Sequence, residues 1–235
     1  MRCSSASPAR LSNRHSDVSP AQSNTRSGAR YTSVAIFLHW IMAVGILALL
    51  VLGLTMTHVT LPLMRKFQLY QLHKSIGITI LLAALVRLAW RLTHRPPPLP
   101  THMTARERSA AEGGHVLLYI LVVGLPLIGW ALVSASVLNV PTLLYGHIHW
   151  PPLPFLSSLP HKAPVEAVLK QTHRYAAWFL IAIVLGHVLA ALRHHFVQRD
   201  EVLRRMLPFT SGGKPFASRR ARELSSPAAP SARAE

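Results

Sequence analysis

Two histidines, His173 and His187, lie 14 positions apart in a long apolar stretch of the sequence. An α-helix turns by about 100° per residue, so 14 residues return to nearly the same face and rise roughly 21 Å. That rise covers most of a hydrocarbon core about 30 Å thick. Two imidazoles on one helix face, one near each membrane surface, favour two cofactors stacked across a bilayer.

The composition is that of a membrane protein. Half of the 235 residues are hydrophobic and only 14% are charged, whereas soluble domains have about 25% charged residues. The net charge of +17 comes from basic residues between apolar segments, which argues against a nucleic-acid-binding domain. The single cysteine, Cys3, cannot build a disulfide framework or a cysteine-ligated zinc or iron–sulfur site. The chain also lacks the C-x-x-C-H motif that attaches haem covalently.

Four apolar segments are long enough to cross a bilayer, so we predict an all-α membrane protein, a four-helix transmembrane bundle. The predicted spans cover about 34–57, 72–92, 115–136 and 168–192, within one membrane domain over 31–208. Disordered tails are expected at 1–30 and 209–235. The connection over 137–164 is predicted to be a long proline-rich loop. The segment HHFVQRDEVLRRMLP after the fourth span is predicted to continue as an interfacial helix as far as Pro208.

The distribution of lysine and arginine predicts the orientation of the chain. Of the 25 basic residues, 19 fall in the N-terminal tail, around the second-to-third connection and in the C-terminal segment, and the other six fall on the opposite side. Because cytoplasmic segments carry the excess of positive charge, we expect both termini in the cytoplasm.

This orientation sorts four histidines into two depths. His39 and His187 should lie near the cytoplasmic surface, and His73 and His173 near the outer surface. Each depth then holds one imidazole from each of two helices. Bis-histidine haem needs this arrangement, with axial ligands on opposite faces of a flat macrocycle held between helices. Ionisable residues inside a membrane are costly and usually functional.

Other interpretations of the histidines stay open from the residues alone. They are a proton relay or metal transporter, and structural histidines that hydrogen-bond between helices. A zinc or iron transporter would usually bring carboxylates into its spans, but the four predicted spans contain no Asp or Glu. His115 has no obvious partner at its depth, so capping or interfacial placement is favoured. His147 and His149 could form a metal site in a loop, and His194 and His195 can contact anionic lipid headgroups.

Four basic side chains near the histidines are candidate partners for anionic haem propionates. Arg87 and Arg91 lie about one turn apart on the inner half of the second span, whereas Lys74 and Arg174 directly follow the two outer-side histidines. Snorkelling of these side chains to the membrane surface is the alternative. A positive field from Lys74 and Arg174 would steer an anionic donor, and that effect should weaken with salt.

Four stretches resemble the prokaryotic cytochrome b561 family of di-haem membrane cytochromes, over roughly residues 31–208. They are FLHW, YQLHKSIGITILLAALVRLAWRL, HVLLYILVVGLPLIGW and HRYAAWFLIAIVLGHVLAALRHHFVQRDEVLRRMLP. The resemblance implies two b-type haems per chain and electron transfer with quinone. The family's ligand positions correspond to His39, His73, His173 and His187. Some members look like superoxide:ubiquinone oxidoreductases, and others in the wider superfamily are cytochrome subunits of hydrogenases and formate dehydrogenases.

We therefore expect a cytochrome with two haem b groups that passes electrons between an outer-side donor and membrane quinone. The donor would be superoxide or a donor protein. The alternative is a membrane-anchor electron-carrier subunit of a partner oxidoreductase complex.

Overall fold

Four long α-helices dominate the computed structural model of the protein, which describes residues 31–94, 103–199 and 203–208. They are α1 (Ser33–His58), α2 (Leu63–Thr93), α3 (Ala105–Ser134) and α5 (Lys162–Phe196). Each is long and apolar enough to cross a membrane, which confirms the prediction of four membrane-spanning helices. Between α3 and α5 lie two antiparallel strands, β1 (Thr142–Leu144) and β2 (Ile148–Trp150), and the short helix α4 (Pro154–Ser157).

The tails predicted at 1–30 and 209–235 lie outside the described residues. The interfacial helix predicted up to Pro208 is wrong in its extent. The last long helix, α5, ends at Phe196, and Arg199 has a φ of 51°, which a right-handed helix does not allow. Arg204–Met206 instead forms one 3-10 turn. The indole N–H of Trp40 donates to the Met206 carbonyl at 2.7 Å, which holds this turn against the start of α1.

Hydrogen bonds at the start of α3 tie it to the end of α5. The Thr104 hydroxyl accepts from the Glu107 backbone N–H, and the Glu107 carboxylate accepts from the Thr104 N–H, forming a capping box. Glu107 also accepts hydrogen bonds from Arg193 and Gln198, each at 3.1 Å. The start of α3 and the end of α5 therefore lie at the same end of the bundle.

The hydrophobic core lies in the middle of the bundle. Its buried members come from all four long helices, and they are Met42, Ile80, Ala84, Leu121, Val122, Leu125 and Leu180. Gly45 of α1 packs directly against the Ile80 side chain, which brings α1 and α2 close together. Many apolar side chains on the outside of the helices are exposed, as expected for a surface that faces lipid.

The four long helices do not pack equally against one another. Close backbone contacts are extensive between α1 and α2, between α2 and α3, and between α3 and α5. By contrast, α5 has few such contacts with α1 or α2. A gap therefore separates α5 from the α1–α2 pair, and side chains have to bridge it.

The predicted loop over 137–164 contains a hairpin that the sequence interpretation missed. Tyr145 and Gly146 in its turn have φ values of 52° and 82°, as tight hairpin turns require. The Tyr145 backbone N–H donates to the Ser75 hydroxyl at 2.9 Å, and the Trp130 indole N–H donates to the Pro151 carbonyl at 2.9 Å. The hairpin therefore joins α2 to α3 at the end of the bundle where α3 finishes.

Ala84→Leu should destabilise the bundle. Ala84 is 0% exposed, and a larger side chain in a packed core costs about 1–3 kcal/mol. Ala89→Leu is the matched control, because Ala89 lies on an exposed face of the same helix. Thermal unfolding in detergent should give a lower midpoint for Ala84→Leu and an unchanged midpoint for Ala89→Leu. Equal midpoints for the two variants would contradict close packing at Ala84.

Candidate functional site

The four histidines predicted as ligands lie in two pairs. The ring centroids of His39 and His187 are 6.3 Å apart, with 64° between the ring planes, and those of His73 and His173 are 6.4 Å apart, with 70° between the planes. We call these the His39–His187 level and the His73–His173 level. The first pair joins α1 to α5 and the second joins α2 to α5. Each pair thus bridges two helices that have few close backbone contacts.

The spacing within each pair suits a metal held between two imidazoles. A bond of about 2 Å from a metal to each ring nitrogen, with about 1 Å more to each ring centre, puts the ring centres about 6 Å apart. Both pairs have this separation. Within residues 31–94, 103–199 and 203–208, no group of three or more His, Cys, Asp or Glu side chains could hold a metal ion directly. A metal at either level would need other equatorial ligands, and a haem macrocycle supplies them.

The His73–His173 level has two further features that fit axial ligands. The Nδ1 atoms of both rings are buried without a hydrogen bond, although buried polar groups are normally paired. Both rings also lie against glycine backbone. A Cβ placed on Gly53 would be 3.7 Å from Cε1 of His73, and one on Gly129 would be 3.2 Å from Cε1 of His173.

A third imidazole lies at the His39–His187 level. The His115 ring on α3 is 5.6 Å from the His187 ring, at an interplanar angle of 67°. The expectation that His115 has no partner at its depth is therefore wrong. The signal was present in the sequence, because the first and third spans begin at the same surface. The depth rule that pairs His39 with His187 also places His115 at their level.

Arg87 and Arg91 also lie at the His39–His187 level. Arg87 donates to the Ala35 carbonyl at 3.1 Å and to the Tyr119 hydroxyl at 3.2 Å. The Arg91 guanidinium lies 5.6 Å from the centre of the Tyr119 ring. In the part of the chain that the structure describes, no carboxylate forms an ion pair with either arginine. Their positive charge is therefore available for an anionic group such as a propionate.

Lys74 and Arg174 lie beside the His73–His173 level, with the Lys74 side chain half-buried and Arg174 exposed. Glu166 is the acidic residue described at this end of the bundle. Its carboxylate accepts a hydrogen bond from the Val137 backbone N–H at 2.8 Å and another from the Ser136 hydroxyl. These hydrogen bonds hold the Glu166 carboxylate at the end of α3. No described carboxylate forms an ion pair with Lys74 or Arg174.

The family assignment comes from comparison with known proteins. A family model described as "Prokaryotic cytochrome b561" matches residues 30–209. The chain belongs to the prokaryotic cytochrome b561 family. The match covers all four long helices, so the protein is an integral membrane protein for electron transfer. Membership of this family implies b-type haem, and the spacing and surroundings of the two histidine pairs fit that cofactor.

Three relatives match most of the chain. "Cytochrome b561 homolog 2" of Escherichia coli (strain K12) is 30% identical over 184 residues, which cover 78% of this chain and 94% of the relative. "Cytochrome b561 homolog 1" of the same organism is 29% identical over 187 residues, covering 76% and 97%. "Probable superoxide oxidase CybB" of Yersinia pestis is 26% identical over 189 residues, covering 78% and 98%.

His115→Phe should retain haem at the His39–His187 level, whereas His39→Phe should lose it. The 6.3 Å separation of the His39 and His187 rings suits an intervening iron, but the 5.6 Å separation of the His115 and His187 rings is shorter. Haem per chain, measured as the pyridine haemochrome, checks this. His58→Phe, at an exposed position on α1, is the control. Equal haem loss in the His115 and His39 variants would contradict this ligand choice.

Proposed function

We propose that the protein is a di-haem b-type cytochrome that transfers electrons between an outer-side donor, superoxide in particular, and quinone in a bacterial inner membrane. One observation carries this proposal. Two histidine pairs with nearly equal ring separations, 6.3 and 6.4 Å, use two residues of α5 that are 14 positions apart. That spacing corresponds to a rise of roughly 21 Å, so the levels lie in opposite halves of the hydrophobic layer.

The four imidazoles have the role of axial ligands in this proposal. His39 and His187 would hold one haem b, and His73 and His173 the other. The bound group supplies a one-electron Fe(III)/Fe(II) couple. With an imidazole on each face of the macrocycle, neither axial position of the iron would be open to another ligand. The side chains therefore favour electron transfer over the binding of oxygen or substrate at iron.

The basic residues have two roles in the proposal. Arg87 and Arg91 pair with propionates at the His39–His187 level, which their lack of a described carboxylate partner supports. Lys74 and Arg174 raise the positive potential near the His73–His173 level, and such a potential increases the encounter rate with an anionic donor. The similarity to a protein named as a probable superoxide oxidase, at 26% identity, supports superoxide as that donor.

The proposed reaction couples two one-electron oxidations to one two-electron reduction. Each of two superoxide anions gives up one electron and leaves as O2. Quinone takes up these two electrons and two protons and becomes quinol. Electrons would enter at the His73–His173 level and leave at the His39–His187 level.

The excess of lysine and arginine in three of the chain's segments supports an orientation with both termini in the cytoplasm. The His39–His187 level would then face the cytoplasm, and the hairpin would face the outer side. The basic C-terminal segment would meet the anionic headgroups of the cytoplasmic leaflet, which attract lysine and arginine.

The purified protein should contain two haems per chain, and His173→Ala should contain about one, because this variant removes a ligand from one level only. Lys170→Ala, at an exposed position on the same helix, is the control and should keep both. Haem is measured as the pyridine haemochrome against protein from amino-acid analysis. An oxidised-minus-reduced spectrum should also show b-type bands. A single haem in the wild-type chain would overturn the proposal.

Lys74→Ala should slow haem reduction by superoxide at low ionic strength by roughly twofold or more, because it removes a positive charge beside the entry level. Stopped-flow measurements across a salt series check this. The wild-type rate should fall as salt screens the field, and the Lys74 variant should depend less on salt. Arg65→Ala removes one charge at an exposed position near the start of α2 and is the control.

The same measurement separates the proposed function from its alternative. Reduction of both haems by dithionite without any reduction by superoxide would favour a membrane-anchor electron-carrier subunit of a partner oxidoreductase. Reduction by superoxide at a rate independent of salt would remove electrostatic steering but keep the donor.

A further inference from the structure

The His173 ring lies against one turn of the backbone of α3. The Leu125 carbonyl is within reach of the ring as a hydrogen-bond acceptor, and Gly129 follows one turn later on the same face. A Cβ on Gly129 would lie 3.2 Å from Cε1 and 3.6 Å from Nδ1 of the ring. The first distance is shorter than nine in ten real Cβ contacts. The Nδ1–Cε1 edge of His173 therefore lies where glycine leaves room for it.

The α1 helix presents the same arrangement to His73. The Leu49 carbonyl is within reach of that ring, and Gly53 lies one turn further along the helix. A Cβ on Gly53 would be 3.7 Å from Cε1 of His73, which is ordinary van der Waals contact. Nδ1 of His73, like that of His173, is buried and makes no hydrogen bond of ordinary geometry. Two helices thus repeat one leucine–glycine spacing against the two rings of one level.

Other glycines of the long helices do not approach a histidine in this way. A Cβ would meet nothing within 4 Å at Gly77, Gly124 or Gly186, and at Gly45 it would meet Ile80. General packing of small residues between helices therefore does not account for the contacts at Gly53 and Gly129. Among the described glycines, these two are the ones whose added Cβ would meet an imidazole.

We infer that Leu49–Gly53 and Leu125–Gly129 form two backbone seats that position His73 and His173 as axial ligands. With haem bound, the leucine carbonyl of each backbone seat would accept a hydrogen bond from Nδ1–H, and the glycine admits the ring to the helix surface. Nε2 would then be available to bind the iron. A carbonyl acceptor at the second ring nitrogen fixes the tautomer and the ring orientation and raises the basicity of the ligand.

Neither Nδ1 makes this hydrogen bond in the structure, although a leucine carbonyl lies near each ring. The last side-chain torsion of histidine is soft and has broad preferences, so a small ring rotation on haem binding would complete the bond. The inference rests on the proposed function, because it requires haem at the His73–His173 level. The leucines act through their carbonyls and cannot be tested by side-chain substitution, whereas the two glycines can.

Gly129→Ala tests the backbone seat on α3, and Gly124→Ala on the same helix is the matched control. Alanine is a better helix former than glycine at both positions, so helix propensity predicts no loss of stability in either variant. Gly129→Ala should displace His173 and speed haem loss from this level to a haem-scavenging protein by about 10- to 100-fold. It should also shift the reduction potential and the low-spin EPR signal of this haem alone. Gly124→Ala should match the wild type.

Gly53→Val provides a second test. A Cβ at Gly53 would already be in ordinary contact with Cε1 of His73, at 3.7 Å, so the two further methyl groups of valine should crowd the ring and give an effect in the same direction as that of Gly129→Ala. Retention of the other haem and an unchanged size-exclusion profile would show that a variant is folded. If Gly129→Ala fails to fold, the potential and EPR signal of this haem in Gly53→Val test the inference, and wild-type values there would overturn it.

The outcomes separate this inference from the proposed function. A wild-type chain without haem at the His73–His173 level would overturn both. Two haems in the wild type, with equal haem loss, potentials and EPR signals in the Gly129 and Gly124 variants, would overturn the backbone seats alone. A change confined to one haem in the Gly129 variant would support them.

Discussion

A polar side chain inside a hydrocarbon layer needs a partner, because neither lipid nor water can solvate it there. Four imidazoles of this chain face that constraint, and the bundle is arranged around them. The α5 helix has few close backbone contacts with α1 and α2. One histidine pair lies between α5 and each of these two helices. The apolar core that remains lies between the two levels and draws on all four long helices.

The two levels offer different surroundings to the same bis-histidine geometry. At the His39–His187 level, two arginines without a described carboxylate partner and a third imidazole, His115, lie near the ligands. At the His73–His173 level, backbone carbonyls lie beside both rings.

Cations lie near both levels, so charge alone sets no direction of electron transfer between them. Positive charge near a haem favours its reduced form, and Arg87 and Arg91 would have this effect at one level and Lys74 and Arg174 at the other. A hydrogen bond from a ligand to a carbonyl would strengthen that ligand and favour the oxidised form, which would lower the reduction potential at the His73–His173 level.

The sequence was sufficient to predict the four long helices and the two histidine pairs, because both follow from simple periodic rules. A run of about 20 apolar residues has few alternatives to a spanning helix, and a 14-residue step keeps His173 and His187 on one face. The sequence was insufficient to predict segments whose conformation depends on contacts with distant parts of the chain. The hairpin depends on hydrogen bonds from Tyr145 and Trp130 to distant segments. The break after Phe196 accompanies a bond between Trp40 and Met206.

The distribution of carboxylates favours redox chemistry over a proton pathway. Glu107 and Glu166 lie near the helix ends, where they bind Thr104, Arg193 and the backbone of Val137. They are thus used in holding the ends of the bundle together. At the His39–His187 level, imidazoles, a phenol and two guanidinium groups lie together, and neither guanidinium forms an ion pair with a carboxylate of the described residues. Ion transporters usually place acidic side chains along their path. A cluster with excess positive charge instead favours an anionic ligand, and the propionates of a haem would provide that charge.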